Sequence, residues 1–260
     1  MSSREANDNA PRAPGEAPAK VLGRDPVAPL PKRFYECAAT TPSGTGYAVT
    51  LDNRAIKTPK KAQLIVPRKA LADAIAAEWQ AQGEHIDPTT MPLTRLANTT
   101  LDAVIPNLGS VRSDLVDFAN SDALCYRASE PAGLSAHQAE VWDPLLAWAD
   151  RTLGARFETR VGIVHAAQSA KTLAAIRRAF DSLSAWQITP LHVMTTITGS
   201  AVLALAVAKG GIDLGAAWTA SHVDEDWQIS TWGEDDEAVL RRERRWLEME
   251  AAARMLETLS

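Results

Sequence analysis

The period of the apolar residues changes at Pro67, and that change constrains the fold more than any other feature of the chain. Ahead of it, Tyr47, Val49 and Leu51 alternate with small or polar residues, and Leu64 to Val66 form a second short apolar run. Alternation of this kind turns one face of an extended strand toward a core. Pro42, Ser43, Gly44 and Gly46 mark one turn and Asp52-Asn53 another, because these residue types tolerate turn geometry. Connections this short imply antiparallel neighbours, since a parallel pair needs a long crossover.

After Pro67 the spacing is helical. Leu71, Ile75 and Trp79 share one face, with Gly83 as the expected cap, and Leu93, Leu96, Ala97, Leu101 and Val104 predict a second helix between Pro92 and Pro106. Beyond residue 110 helical spacing dominates. Ser110 is the expected cap of a helix through Val111, Leu115 and Phe118. A longer helix runs from Leu134 to Leu153, with Gly154 behind it and a kink or break at Asp143-Pro144. Phe157, Thr159 and Val161 suggest a short extended piece, and Leu173, Ile176, Phe180 and Leu183 resume the helical pattern. The predicted fold is α+β: a small antiparallel-sheet N-terminal domain with helices over residues 32–109, then an all-helical C-terminal domain over 110–260.

Residues 1–31 fit neither period. Pro11, Pro14, Pro18, Pro26, Pro29 and Pro31 are six of the fifteen prolines, and the segment has no aromatic residue. It cannot bury enough surface to offset its ordering entropy, so a disordered tail is expected. A mitochondrial presequence is the alternative, with Arg4, Arg12 and Lys20, but Glu5, Asp8 and Glu16 interrupt any basic face. From Gln187 to Ala208 there is no charged residue, a length that spans a bilayer. His192, Thr195, Thr196, Thr198 and Ser200 make it too polar for that role. A central helix of a globular bundle is expected, starting at Thr189-Pro190 and stopping at Gly210-Gly211.

The formal net charge of -5 argues against nucleic acid as the main partner. Cys37 and Cys125 give neither a zinc spacing nor a disulfide framework, so a reducing compartment is expected. Catalytic signatures are missing. Lys171-Thr172 follow no glycine-rich loop, Gly44-Thr45-Gly46 lacks the third glycine of a dinucleotide site, and Gly199-Ser200 is not a nucleophile elbow. His85, His137, His165, His192 and His222 show no paired metal-ligand spacing. A calcium loop starting at Asp224 would need glycine where Ile229 stands and glutamate where Asp235 stands. No catalytic residue, metal site or cofactor is assigned.

The most informative local pattern lies between Asp213 and Gly233, read as a single helix capped by the first and ended by the second. At about 100° per residue, Leu214, Trp218, Ile229 and Trp232 fall on one face with Glu225 at its centre. Ala216, Ala220, Val223 and Trp227 form a second stripe opposite. A helix apolar on both sides is covered on both or offers one side to a partner. Glu225 then either pairs with an internal arginine or receives a donor from a bound protein. Glu234 to Glu237 extend an acidic rim or open the last helix, about Asp236 to Leu259. That helix carries Val239, Trp246, Met249, Ala253 and Leu256 on one stripe, with mixed-sign charges outside it.

Six segments, in order, resemble one known family. LDNRAIKTP from Leu51, AAEWQAQ from Ala76, PLTRLANTTLD from Pro92, CYRASEPAGL from Cys125, WDPLLAWA from Trp142 and QISTWG from Gln228 are similar to the mitochondrial and alphaproteobacterial F1-ATPase assembly chaperones specific for the alpha subunit. The resemblance runs from about Arg33 to about Glu237. It implies an ATP-independent, non-enzymatic chaperone. Such a protein binds free alpha subunit, shields its beta-facing surface and releases it as the hexamer forms. A bacterial cytoplasm, or a mitochondrial matrix in a eukaryote, is the implied location, and a monomer is expected. The partner-binding residues expected from the two-faced helix and the resemblance together are Glu225, Gln228, Ile229, Trp232 and Glu234. After Gly233 the chain departs from the eukaryotic pattern of an acidic residue followed by a histidine-aspartate pair. Two rival readings are a small-molecule enzyme using scattered carboxylates and His192, and a structural subunit of a larger complex.

Overall fold

The computed structural model describes residues 29–260, and the tail and presequence readings of residues 1–31 lie almost wholly outside that range. The alternating N-terminal residues form β1 (Ala38–Ser43) and β2 (Gly46–Leu51), an antiparallel hairpin in the register Ser43 opposite Gly46 and Ala38 opposite Leu51. β3 (Arg54–Ala55) and β4 (Ile65–Val66) pair in turn with the other edge of β2. Asp52 and Asn53 both take positive φ, at 47° and 67°, which turns β2 back into β3.

The sheet is covered by α1 (Lys69–Gln80), whose Leu71, Ala72 and Ile75 are fully buried. Its C-cap is Ala81 in the helical region, so Gly83 does not cap it. α2 (Pro92–Thr99) starts with Pro92 in its first turn and continues through a π-helical turn, Thr100–Val104, toward Pro106. Together these elements enclose a core of Val49, Leu64, Leu71, Ile75 and Leu93.

α3 (Leu108–Asn120) begins two residues ahead of Ser110, with Asn107 at the cap position. β5 (Tyr126–Arg127) precedes α4 (Ala132–Leu153), which passes through Pro144 without ending and stops at Gly154 in the left-handed region. β6 (Arg160–Val161) is the expected extended piece and pairs in parallel with β5. α5 (Ala170–Asp181) follows, capped by Ser169.

The uncharged run folds into two helices. α6 (Ala185–Thr198) begins four residues ahead of Thr189, because Ser184 and Gln187 form a capping box that fixes the start earlier. Pro190 therefore lies inside it. Gly199, at φ 67°, ends α6, and the Ser200 hydroxyl accepts from Leu203 N to open α7 (Ala201–Ala208). Ala201 to Ala206 are fully buried. Two of the hydroxyls that made the run look polar bond back within the helix, Thr196 donating to His192 O and Thr198 to Met194 O at 2.8 Å each, while the buried Thr195 hydroxyl has no partner among the described residues. Among the described residues no helix is long and apolar enough to cross a membrane.

α8 (Leu214–Ser221) and α9 (Val223–Trp232) replace the single helix expected from Asp213 to Gly233. α10 (Asp236–Leu259) closes the chain, with Asp235 accepting from Ala238 N as its cap. Met249, Ala252 and Ala253 enter the helical core, while Ala251 and Met255 enter the core beneath the sheet. Residues Pro31–Ser260 thus form one compact unit that crosses the expected boundary near residue 110.

Candidate functional site

The break between α8 and α9 is at His222, whose backbone N–H donates to Thr219 O while its carbonyl accepts from Asp226 N. His222 has φ -116° and ψ 15°, outside the helical region. A break shifts the angular phase of everything after it. The two stripes read from Asp213 to Gly233 are therefore not two continuous faces: each is divided between α8 and α9. Ala217, Ala220 and Val223 are buried, whereas Ala216 is exposed. Trp227 packs toward α4, where its ring lies over Gly133.

The other side of α9 faces α10 across a groove of about 550 Å³. Its apolar walls are Trp218, Ile229, Val239 and Trp246. Trp218 lies against the His222 ring at 4.1 Å between centroids, tilted by 42°, and meets Trp246 edge-on at 5.1 Å. Such aromatic contacts fix the wall in place. Among the described residues the polar lining is mostly acidic: Glu225, Asp226, Glu234, Asp235 and Glu243 against the one cation Arg242.

Among the described residues no arginine pairs with Glu225. Arg242 on α10 instead donates to Asp226, and its guanidinium lies 6.0 Å from the Trp218 ring. Glu225 lies instead beside His222, with Nε2 3.7 Å from Oε2. His222 is buried, and its Nδ1 lies 2.8 Å from Trp218 O. A carbonyl only accepts, so Nδ1 carries the proton, and in the neutral ring Nε2 carries the lone pair. Burial holds the imidazole pKa below its ordinary value, with the Arg242 charge acting the same way. The Trp218 carbonyl, Glu225 and Asp226 oppose it.

Of the five residues expected to touch a partner, Glu225, Ile229 and Glu234 line this groove. Gln228 and Trp232 are exposed on α9, Trp232 at 78%, and neither is among the groove's walls. Asp235 caps α10 and Asp236 and Glu237 occupy its first turn, so these acids serve the helix start. The pairing of Arg242 with Asp226 was not expected from the sequence. The two are sixteen residues apart on different helices, and no local periodicity links them. His192, the residue of the enzyme reading, packs edge-on against Phe118, and burial lowers its pKa against the pull of Asp114. Among the described residues no group of three or more His, Cys, Asp or Glu side chains is placed to hold a metal ion.

Comparison with known proteins gives a consistent relationship. Residues 32–150 match the family described as ATP12 chaperone protein. The mitochondrial protein atp12 of Schizosaccharomyces pombe is 24% identical over 226 residues, covering 81% of this chain and 78% of that one. The crystal structure of Atp12 from Paracoccus denitrificans superposes with a TM-score of 0.85 at 39% identity, covering 88% of this chain and 99% of that one. A solved protein from Agrobacterium tumefaciens gives 0.86 at 42% identity, covering 89% and 87%. With this identity sustained over nearly the whole length of solved relatives, the chain belongs to the ATP12 chaperone family.

Proposed function

We propose that this protein is an ATP-independent assembly chaperone that holds the free alpha subunit of F1-ATPase, covers its beta-facing surface and gives it up as the hexamer forms. The observation that carries the reading is the open groove between α9 and α10, aromatic on its walls and acidic on its rim, in a chain of the ATP12 chaperone family. An exposed apolar concavity of this kind suits a protein client, because covering it removes apolar surface from water. In this reading residues 32–109 form the sheet-bearing part and 110–260 the helical part that holds the client. The compartment is a bacterial cytoplasm or a mitochondrial matrix, the protein acts as a monomer, and it does no chemistry on its client.

The test uses Glu225→Lys and Trp232→Ser, both at exposed or half-exposed positions of α9. Both variants should fold and lose capture of free alpha subunit. Leu71→Ala, at a fully buried position, should instead lower stability by about 2–5 kcal/mol and leave capture intact while the protein stays folded. Two folded site variants that capture alpha at full strength would show that the client lies elsewhere.

A further inference from the structure

We propose that the groove between α9 and α10 selects a basic side chain flanked by apolar residues on its client. The inference rests on the reading above that a protein client occupies this groove.

Two of the five lining carboxylates are already engaged. Asp226 accepts from Arg242, and Asp235 accepts from Ala238 N at the start of α10. Glu225, Glu234 and Glu243 remain, and among the described residues the lining holds no second cation to answer them. Glu225 is the most constrained of the three. Its side chain is 38% exposed, and the bare Nε2 of the buried His222 lies 3.7 Å from its Oε2. That distance is beyond a hydrogen bond, and both atoms are acceptors. A carboxylate beside a second acceptor is left wanting a donor.

The walls decide what carries that donor. Trp218, Ile229, Val239 and Trp246 surround the acids. A purely apolar client segment would cover Glu225 without a partner, and an unpaired buried charge is costly. An acidic segment would meet like charge. An arginine or lysine supplies the cation on an apolar stem that packs along the tryptophans, and apolar neighbours fill the rest of the groove. With Nδ1 tied to the Trp218 carbonyl, the neutral His222 ring presents no proton to compete for Glu225.

The test measures binding of three labelled peptides of equal length to the intact protein by fluorescence anisotropy. Each has leucines on either side of one central residue, which is arginine, glutamine or glutamate. The arginine peptide should bind about tenfold more tightly than the glutamine peptide, the glutamate peptide should bind least, and added salt should narrow the gap. Glu225→Gln should erase the arginine preference, and Glu225→Asp should restore part of it. Glu140→Gln, at an exposed position on α4, should leave it unchanged. Equal binding of the three peptides, no binding of the arginine peptide, or an arginine preference that survives in Glu225→Gln would overturn the proposal. Capture of alpha subunit, measured in parallel, separates the two readings. Peptide selectivity without alpha capture would sink the chaperone reading alone, and alpha capture without selectivity would sink this inference alone.

Discussion

The Glu78 carboxylate on α1 caps α2 from a neighbouring helix, accepting from Leu93 N at 2.7 Å and Thr94 N at 2.8 Å. Met91, at the cap position of α2, contributes no side-chain bond. The first-turn N–H groups would otherwise be buried without partners. The Thr94 hydroxyl donates to the same carboxylate, and the group is 9% exposed. Burial raises its pKa against the pull of these bonds and of Arg254.

Glu78→Ala should therefore cost about 2–4 kcal/mol, because it strands two helix donors in a buried place. Glu78→Gln should cost less, since it keeps one carbonyl oxygen. Urea unfolding of both variants checks the order. Equal and small losses would mean that water reaches the α2 terminus.

Gly46 carries a different kind of constraint. A Cβ placed there would lie 2.5 Å from the Val66 carbonyl oxygen, so β2 and β4 approach too closely for any side chain. The obstructing atom is backbone and cannot rotate away. Gly46→Ala should destabilise by about 1–3 kcal/mol through forced separation of the two strands. An unchanged unfolding midpoint would contradict this packing.

Asp122 ties the helical core together and should make its stability depend on pH. It is fully buried, accepting from Leu124 N and Val202 N at 3.1 Å each. Burial pushes its pKa up to about 6, against opposing hydrogen bonds led by Ser200. A carboxyl raised on folding binds more protons in the native state, so its contribution to stability is largest in acid and falls as pH rises through about 6. Asp122→Asn removes the titration. The stability gap between wild type and variant should shrink by about 2 kcal/mol from about pH 4.5 to about pH 7.5. A gap that widens over that range would show that the carboxylate, not the acid, is the favoured native form.

Much of this architecture was legible in local spacing. Tyr47, Val49 and Leu51, the Asp52-Asn53 turn and the face of Leu71, Ile75 and Trp79 are set by neighbours in sequence, and the sheet and α1 follow from them. What was hidden depended on competition between signals. Ser184 with Gln187 outcompeted Thr189-Pro190 for the start of α6, and Gly199 divided a run that showed no interruption in hydropathy. Ala251 and Met255 were missed because α10 lies between two cores and is covered on more than one side, which blurs its stripe. At the groove, Glu225 and Ile229 were visible as members of one face. The His222 break and the Arg242–Asp226 pair were not, since they arise only when α8, α9 and α10 pack together.

Groove geometry yields a prediction of its own. Arg242→Ala frees Asp226 and removes the one lining cation, so it should leave the fold intact and tighten an arginine-bearing client by a few-fold. Weaker binding would mean that Arg242 itself contacts the client. Binding isotherms at two salt concentrations distinguish these outcomes.

The most direct measurement is capture of separately expressed alpha and beta subunits of F1-ATPase by the purified protein, without added nucleotide. The account predicts capture of free alpha, no capture of beta, and loss of alpha when beta is supplied. Capture of neither subunit, or of both equally, would contradict it.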